Sequence, residues 1–256
     1  MPFESGDSCN RCGDSLDRPA GDSGSSICRV CGLAPPPFVR AVAYGPYESR
    51  LKDAIHALKY DRLVPASREL GRRLAEAIAR LAKEAPGEML VLPIPLHRGK
   101  YSDRGFNQAH VLAKHALSIL QDTHPSWRLT LLPHAMERHR ATVSQAGLTT
   151  RQRRLNLRGA FRVPKPAAVA GKHVLVVDDI FTTGATARAA SKALLAAGAE
   201  SVWVATLARA RLRSGTPAIL AASQNHAAEG VGLSDGVPGA TMESASMHSS
   251  ARHLSS

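Results

Sequence analysis

The sequence predicts an α/β fold, with a small four-cysteine module in front of it and an unpatterned tail behind. Three observations carry this. Residues 174–207 read as an aliphatic strand, a hydroxyl-rich turn, a helix and a returning strand, which is a parallel βαβ unit. Upstream of it lie two stretches of helical apolar period and a short proline-bounded apolar run. All four cysteines, Cys9, Cys12, Cys28 and Cys31, are gathered at the start as C-x2-C-x15-C-x2-C.

Each C-x2-C turn can bring two thiolates onto one ion, and two such turns complete a closed tetrahedral zinc site. The rest of that segment is mostly Gly, Ser, Asp and Pro, with Ile27, Val30 and Leu33 as aliphatic filler. Such a segment cannot build a core of its own, so a metal is expected to hold it together. Two disulfides are the alternative, disfavoured because the start MPFESGDSCN has no basic n-region or apolar run of a secretory signal. A catalytic zinc is disfavoured because four thiolates leave no open position. Pro35, Pro36 and Pro37 impose a stiff, extended link, which places the module at 1–34.

Leu51, Ile55 and Leu58, then Leu70, Leu74, Ile78 and Leu81, mark two amphipathic helices that stop before Pro86-Gly87. The run from Met89 to Pro95 fits a buried strand leading into a loop, and Asn107 is placed to cap a helix through Val111, Leu112, His115 and Ile119. Leu129 to Leu132 reads as a further short strand. Between Arg138 and Arg162 there are seven arginines, one histidine and no acid, the composition of a mobile basic segment, with a short helix expected near Arg151 to Leu157. The strand Val174–Val177 follows, then a helix with Ala187, Ala190 and Leu194 on one face and Gly198 at its end, then a strand from Ser201 to Leu207. Beyond about Ser214 no period is sustained, and 213–256 is expected to be a disordered tail.

The chain has 256 residues, with 33 Lys and Arg against 21 Asp and Glu, a net charge of +12 that points to anionic partners. Aromatic residues are only 4%, which leaves few platforms for stacking single-stranded bases, so charge alone does not define a nucleic-acid binder. No stretch reaches the length of uninterrupted apolar sequence that a membrane span needs. A soluble, cytoplasmic protein is expected.

The sharpest local signal is VLVVDDIFTTGAT, Val174 to Thr186. An aliphatic strand delivers two adjacent carboxylates and then a turn that opens a helix. Backbone N–H groups around Thr183, Gly184 and Ala185, with the helix dipole, can hold a phosphate monoester, and Thr182, Thr183 and Thr186 add hydroxyl donors. Gly184 lets the backbone approach closely, while Asp178 and Asp179 can accept hydrogen bonds from a vicinal diol. One ribose 5-phosphate fits both ends. The alternative is a solvated acid pair capping a helix, as in a phospho-accepting receiver domain, which has no need of the Thr-Thr-Gly-Ala-Thr turn.

This 13-residue run resembles the phosphoribosyl pyrophosphate (PRPP) motif of type I phosphoribosyltransferases, and it matches every motif position. Two more blocks widen the resemblance to the ComF family, competence-associated bacterial proteins with a four-cysteine zinc module and a phosphoribosyltransferase domain. They are LPIPLHRGKYSDRGFNQA, Leu92 to Ala109, and RATVSQAGLTTRQRRLNLRGAF, Arg140 to Phe161. The resemblance implies a phosphoribosyltransferase domain at 38–212 with a mostly parallel central sheet. It implies that Asp178 and Asp179 hold the ribose hydroxyls, that Thr182, Thr183, Gly184, Ala185 and Thr186 bind the 5-phosphate, and that magnesium accompanies PRPP. It places Leu96 to Arg104 against the pyrophosphate, with Arg98, Lys100 and Arg104 as anion contacts and Arg104 preferred as a catalytic group beside Asp178 and Asp179. It assigns Arg140, Thr142, Gln145, Arg153 and Asn156 to a flexible loop over the site. The implied reaction transfers the phosphoribosyl group to an unidentified acceptor with release of pyrophosphate, in connection with DNA uptake. The alternative is a non-catalytic module of the same fold that binds single-stranded DNA or a DNA-processing partner.

Overall fold

The computed structural model describes residues 8–16, 26–60, 65–139, 157 and 159–210. The expected loop residues Arg140, Thr142, Gln145, Arg153 and Asn156, the short helix before Leu157, and the tail beyond 210 lie outside the described residues. In chain order the elements are α1 (Arg29–Leu33), β1 (Ala41–Pro46), α2 (Ser49–Tyr60), α3 (Ala66–Ala79), β2 (Glu88–Pro93), α4 (Arg98–Arg104) and α5 (Gln108–Thr123). There follow β3 (Arg128–Leu131), β4 (Glu137–Arg138), β5 (Phe161–Arg162), β6 (His173–Phe181), α6 (Ala185–Ala196) and β7 (Ser201–Arg209).

The five-stranded sheet runs β1-β7-β6-β2-β3, and each adjacent pair is parallel. β4 and β5 form a separate antiparallel pair. Because side chains alternate along a strand, β6 feeds two cores. Leu175 and Val177 pack with the apolar stripes of α2, α3 and α5 on one face. On the other face Val174 and Val176 pack with Ala187, Ala190 and Leu194 of α6 and with Cys9, Cys12, Cys31 and Phe38 of the N-terminal segment. The cysteine module is therefore not held by a metal alone: it shares a core with the sheet. Its backbone is also joined to β1, where the Ala41 N–H donates to the Arg11 carbonyl at 2.8 Å.

Asn107 caps α5 as its sequence position predicts, its Oδ1 accepting from the N–H groups of Ala109 and His110 at 3.0 and 3.4 Å. Gly198 ends α6 at φ +91°, and the N–H groups of Gly198 and Ala199 return to the carbonyls of Leu195 and Leu194. That closure is the Schellman arrangement, and it turns the chain into β7. Two expectations are refined. The segment after β2, expected as a loop, contains the short helix α4, whose Gly99 N–H donates to His97 Nδ1 at 3.3 Å and whose end closes with Gly105 N–H on Tyr101 O. The strand carrying the acid pair continues to Phe181, because β7 pairs with it as far as Phe181 opposite Arg209. Among the described residues no helix is long and apolar enough to cross a membrane.

Candidate functional site

The site forms where the sheet's connections part. From β2 the chain crosses to β3 with α5 packed on one face, and from β6 it crosses to β7 through α6 on the other. A crevice opens beyond the carboxyl ends of two strands that diverge in this way, and parallel sheets bind ligands there. β2 reaches its last partner at Val177, Ile94 N–H donates to the Val177 carbonyl at 2.8 Å, and Asp178 begins past that point. The Asn107 amide donates to Ile94 O at 3.0 Å and so fixes the rim opposite the acid pair.

Asp178 lies on the α6 face of β6 and lines one cavity with Thr182, Gly184, Ala185 and Thr186. The structure thus brings one acid of the predicted pair together with the predicted turn. Thr183 points its hydroxyl at the backbone, with Ala185 N–H donating to Thr183 Oγ1 at 3.4 Å. Gly184 precedes α6 with φ +72°, and a Cβ there would stand 2.6 Å from the ring of Phe181. The glycine is required by its backbone and by that ring, a reason the sequence motif does not display.

Asp179 faces the opposite side and is 5% exposed. Lys59 Nζ of α2 sits 2.6 Å from its Oδ2, and the Gln108 amide of α5 donates to the same oxygen at 3.3 Å. Burial opposes its charge, but Lys59 and these hydrogen bonds win and hold its pKa below the ordinary carboxylate value. For Lys59 the same pairing overcomes burial and raises the pKa. Asp178 is different. Burial, and then the neighbouring charge of Asp179, push its carboxyl up to about 8.

Cations gather around the pair. Lys59 acts on Asp178 and Asp179 and lies within electrostatic reach of Arg104. The pKa of Lys100 is pulled down by partial burial and by Arg138, Arg104 and Lys59 beside it. Arg138, at the end of β4, has its pKa lowered by burial and is favoured by the charge of Asp178. Of the predicted anion contacts, Lys100 lies within electrostatic reach of Asp179 and Arg104 within reach of Lys59 and Lys100, whereas Arg98 lines the adjoining cleft. That cleft encloses about 590 Å³ between α4, the start of α5 and the β4–β5 pair, with Tyr101, Phe106, His110, His134 and Arg162 among its walls. Burial and then His134 hold the pKa of His110 below the ordinary imidazole value.

The four cysteines are free thiols, so no disulfide is formed, and their sulfurs all lie within 4.8 Å of one another. Four sulfurs at that spacing suit a tetrahedral ion with metal–sulfur bonds of about 2.3 Å. Cys9, Cys12 and Cys31 are buried. As thiols they differ: a hydrogen bond from Cys12 lowers the Cys9 pKa to about 4, and burial raises that of Cys31 to about 12. The set can hold a metal ion.

Sequence reasoning missed Lys59, Arg138 and Gln108 as site residues. Lys59 carried a signal, because it lies four residues after Ile55 and so falls on the buried stripe of α2, where a cation needs a buried partner. Arg138 and Gln108 stood at the margins of segments already of interest, with nothing local to say which way they face.

A parallel sheet with an acid pair and a hydroxyl-rich turn at the carboxyl end of a central strand defines a type I phosphoribosyltransferase domain. Residues 107–229 match the phosphoribosyl transferase domain family. A protein of Escherichia coli O157:H7 named DNA utilization protein YhgH is 35% identical over 185 residues, which cover 71% of this chain and 77% of that one. Competence protein F of Haemophilus influenzae is 29% identical over 79% of this chain and 84% of its own. Competence protein ComFC of Bacillus subtilis is 30% identical over 78% and 83%. The chain belongs to the ComF family of phosphoribosyltransferase-domain proteins.

Proposed function

We propose that the protein binds PRPP and transfers its phosphoribosyl group to an acceptor, releasing pyrophosphate. The observation that supports this best is the shared cavity of Asp178 and the Thr182–Thr186 turn, with Lys59, Lys100, Arg104 and Arg138 around the acid pair. The turn and the N-terminus of α6 take the 5-phosphate, and Asp178 accepts hydrogen bonds from the ribose diol. Asp179 keeps Lys59 in place, and Lys59, Lys100 and Arg104 meet the diphosphate and stabilise the charge it gains as the bond to C1 breaks. Arg98 extends that cationic surface into the cleft. Magnesium bound with the diphosphate supplies further neutralisation, and the Asp178 carboxylate suits it as an oxygen ligand. The flexible-loop residues Arg140, Thr142, Gln145, Arg153 and Asn156 are proposed to close over the ligand and exclude water.

The acceptor would enter the 590 Å³ cleft. Among the described residues Glu137 is the one carboxylate of its walls, and Arg162 already binds it at 2.9 Å, so that Arg98 and the imidazoles favour an acceptor of anionic character. His110, neutral by its lowered pKa, can take a proton from the incoming nucleophile. Residues 1–34 would serve as a structural zinc module, 38–212 would carry the chemistry, and 213–256 would stand outside both. The relatives' names, DNA utilization protein and competence protein, support a role for the activity in DNA utilization or competence, and a cytoplasmic location is proposed with it.

Incubation with PRPP, magnesium and pooled nucleobases and anionic amines, with pyrophosphate release as the readout, tests the reading. Release that needs both protein and acceptor is expected. Tight PRPP binding without release by any acceptor would favour the non-catalytic module, with single-stranded DNA as its next ligand to try. Failure to bind PRPP at all would overturn the transferase reading.

A further inference from the structure

We propose that Phe181 and Arg209 are positioning residues that tie the phosphate turn to the four-cysteine cluster, so that metal loading of the cluster sets the turn's affinity for a phosphate monoester. The inference rests on the proposed reading of the turn as a 5-phosphate site. It starts from Arg209, the last residue of β7, which is 3% exposed although it is an arginine. A guanidinium buried so deeply must find partners for its donors. It finds them in the cysteine module: Nη1 donates to the Cys12 carbonyl at 2.7 Å, Nη2 lies 3.6 Å from Cys12 Sγ, and Nε donates to Asp14 Oδ1 at 3.1 Å.

The other side of the same guanidinium covers the Phe181 ring, with its central carbon 4.6 Å from the ring centroid. That ring is the one that a Cβ on Gly184 would strike at 2.6 Å. Cluster, guanidinium, ring and turn are therefore in contact one after the next. Two further ties run between the same parts. Phe38, which follows the three prolines, meets Phe181 edge-on at 6.1 Å. Arg188, in the first turn of α6, donates to the carbonyls of Ala34 and Pro35 at 2.8 and 3.1 Å.

Four thiolates drawn onto one ion hold the Cys12 carbonyl and sulfur still, and through them Arg209 and the ring. Loss of the ion frees the C-x2-C turns, and the ring then has latitude to leave the glycine. Because coupling between two sites is reciprocal, the ligand must hold the metal as firmly as the metal holds the ligand.

The test uses the full chain loaded with zinc and ribose 5-phosphate as the probe. Two quantities are read: the calorimetric affinity for ribose 5-phosphate, and the rate at which a colorimetric chelator takes the zinc. In the wild type, saturating ribose 5-phosphate is expected to slow zinc release, and zinc removal to weaken ribose 5-phosphate severalfold. Arg209→Met keeps the aliphatic stem and all four thiolates. It should still carry one zinc per chain, bind ribose 5-phosphate about tenfold more weakly, and release zinc at a rate indifferent to ligand. Phe181→Leu, which keeps every cysteine and every hydrogen bond of Arg209 to the module, should also uncouple the two and carries the test if Arg209→Met fails to fold. Wild-type protein that binds ribose 5-phosphate equally well with and without zinc overturns the coupling and leaves the phosphate site standing. Loaded wild type that does not bind ribose 5-phosphate overturns the phosphate site, and the coupling with it.

Discussion

On one face of β6 the carboxylate of Asp179 is paired with Lys59 at 2.6 Å, while on the other Asp178 looks into the cavity it shares with Thr182, Gly184, Ala185 and Thr186. The two acids are adjacent in the chain, and the alternation of a strand alone sends them to different environments. Asp179 ends up with its pKa lowered, Asp178 with its pKa raised to about 8. One is committed to an ion pair inside the protein, and the other holds a charge that its surroundings disfavour until a ligand restores it. A motif of two neighbouring acids is thus two devices, one that pairs with Lys59 and one that we propose meets the sugar.

The comparison breaks most visibly if Lys59 is removed. Lys59→Met leaves the buried charge of Asp179 without its partner, a loss worth about 3–5 kcal/mol. Thermal melting should fall by roughly 10 °C, given about 2–4 °C per kcal/mol for a domain of this size. The double variant Lys59→Met, Asp179→Leu removes both charges and should recover much of that loss. If Lys59→Met melted with the wild type, Asp179 would not depend on it.

Exchanging the acids one at a time sharpens the contrast. Asp178→Asn should raise melting at pH 7, because the neutral amide need not take up the proton that the buried acid must, yet should weaken PRPP about ten- to a hundredfold, since hydrogen bonds to a charged acceptor are worth about 1.5–3 kcal/mol. Asp179→Asn should do the reverse in part, lowering the melting temperature and reducing affinity less. Calorimetric titration beside a melting curve on each variant reads both quantities. Equal effects of the two substitutions on both readouts would mean that the faces are equivalent.

The sequence made one of these faces visible and hid the other. The Asp178 side is local: strand, acids, turn and helix are contiguous from Val174 to Thr186, so a motif could state the whole of it. The cysteine spacing was legible for the same reason. The Asp179 side is assembled from α2 and α5, and Gln108 stands 71 residues away from its partner. Arg209 and Cys12 are 197 residues apart, and Phe181 occupies a position of the motif that any residue could fill. Spacing rules describe what one segment does, whereas these contacts exist only because the sheet order sets β7 beside β6 and the cysteine module against its end.

The smallest effect is the pH dependence that the raised carboxyl imposes. The Asp178 pKa in the protein is about 8 against an ordinary 3.8, so the folded state without ligand keeps a proton that the unfolded chain would lose. Its contribution to stability is complete below about pH 3.8 and is lost progressively as pH rises to about 8, so melting should fall between about pH 4 and 8 and level off above that. Ligand affinity should move the other way, because the diol and magnesium need the ionised acid. About a tenth of the molecules carry it at pH 7 and about nine-tenths at pH 9, which gives roughly a tenfold gain in affinity for ribose 5-phosphate with magnesium. At pH 7 each binding event should also release close to one proton, seen as a binding enthalpy that varies with the ionisation enthalpy of the buffer. Asp178→Asn should remove both the slope and the proton release while Asp179→Asn retains them. If the wild-type affinity were flat from pH 7 to 9, Asp178 would already be ionised without ligand, and the difference between the two faces would reduce to geometry alone.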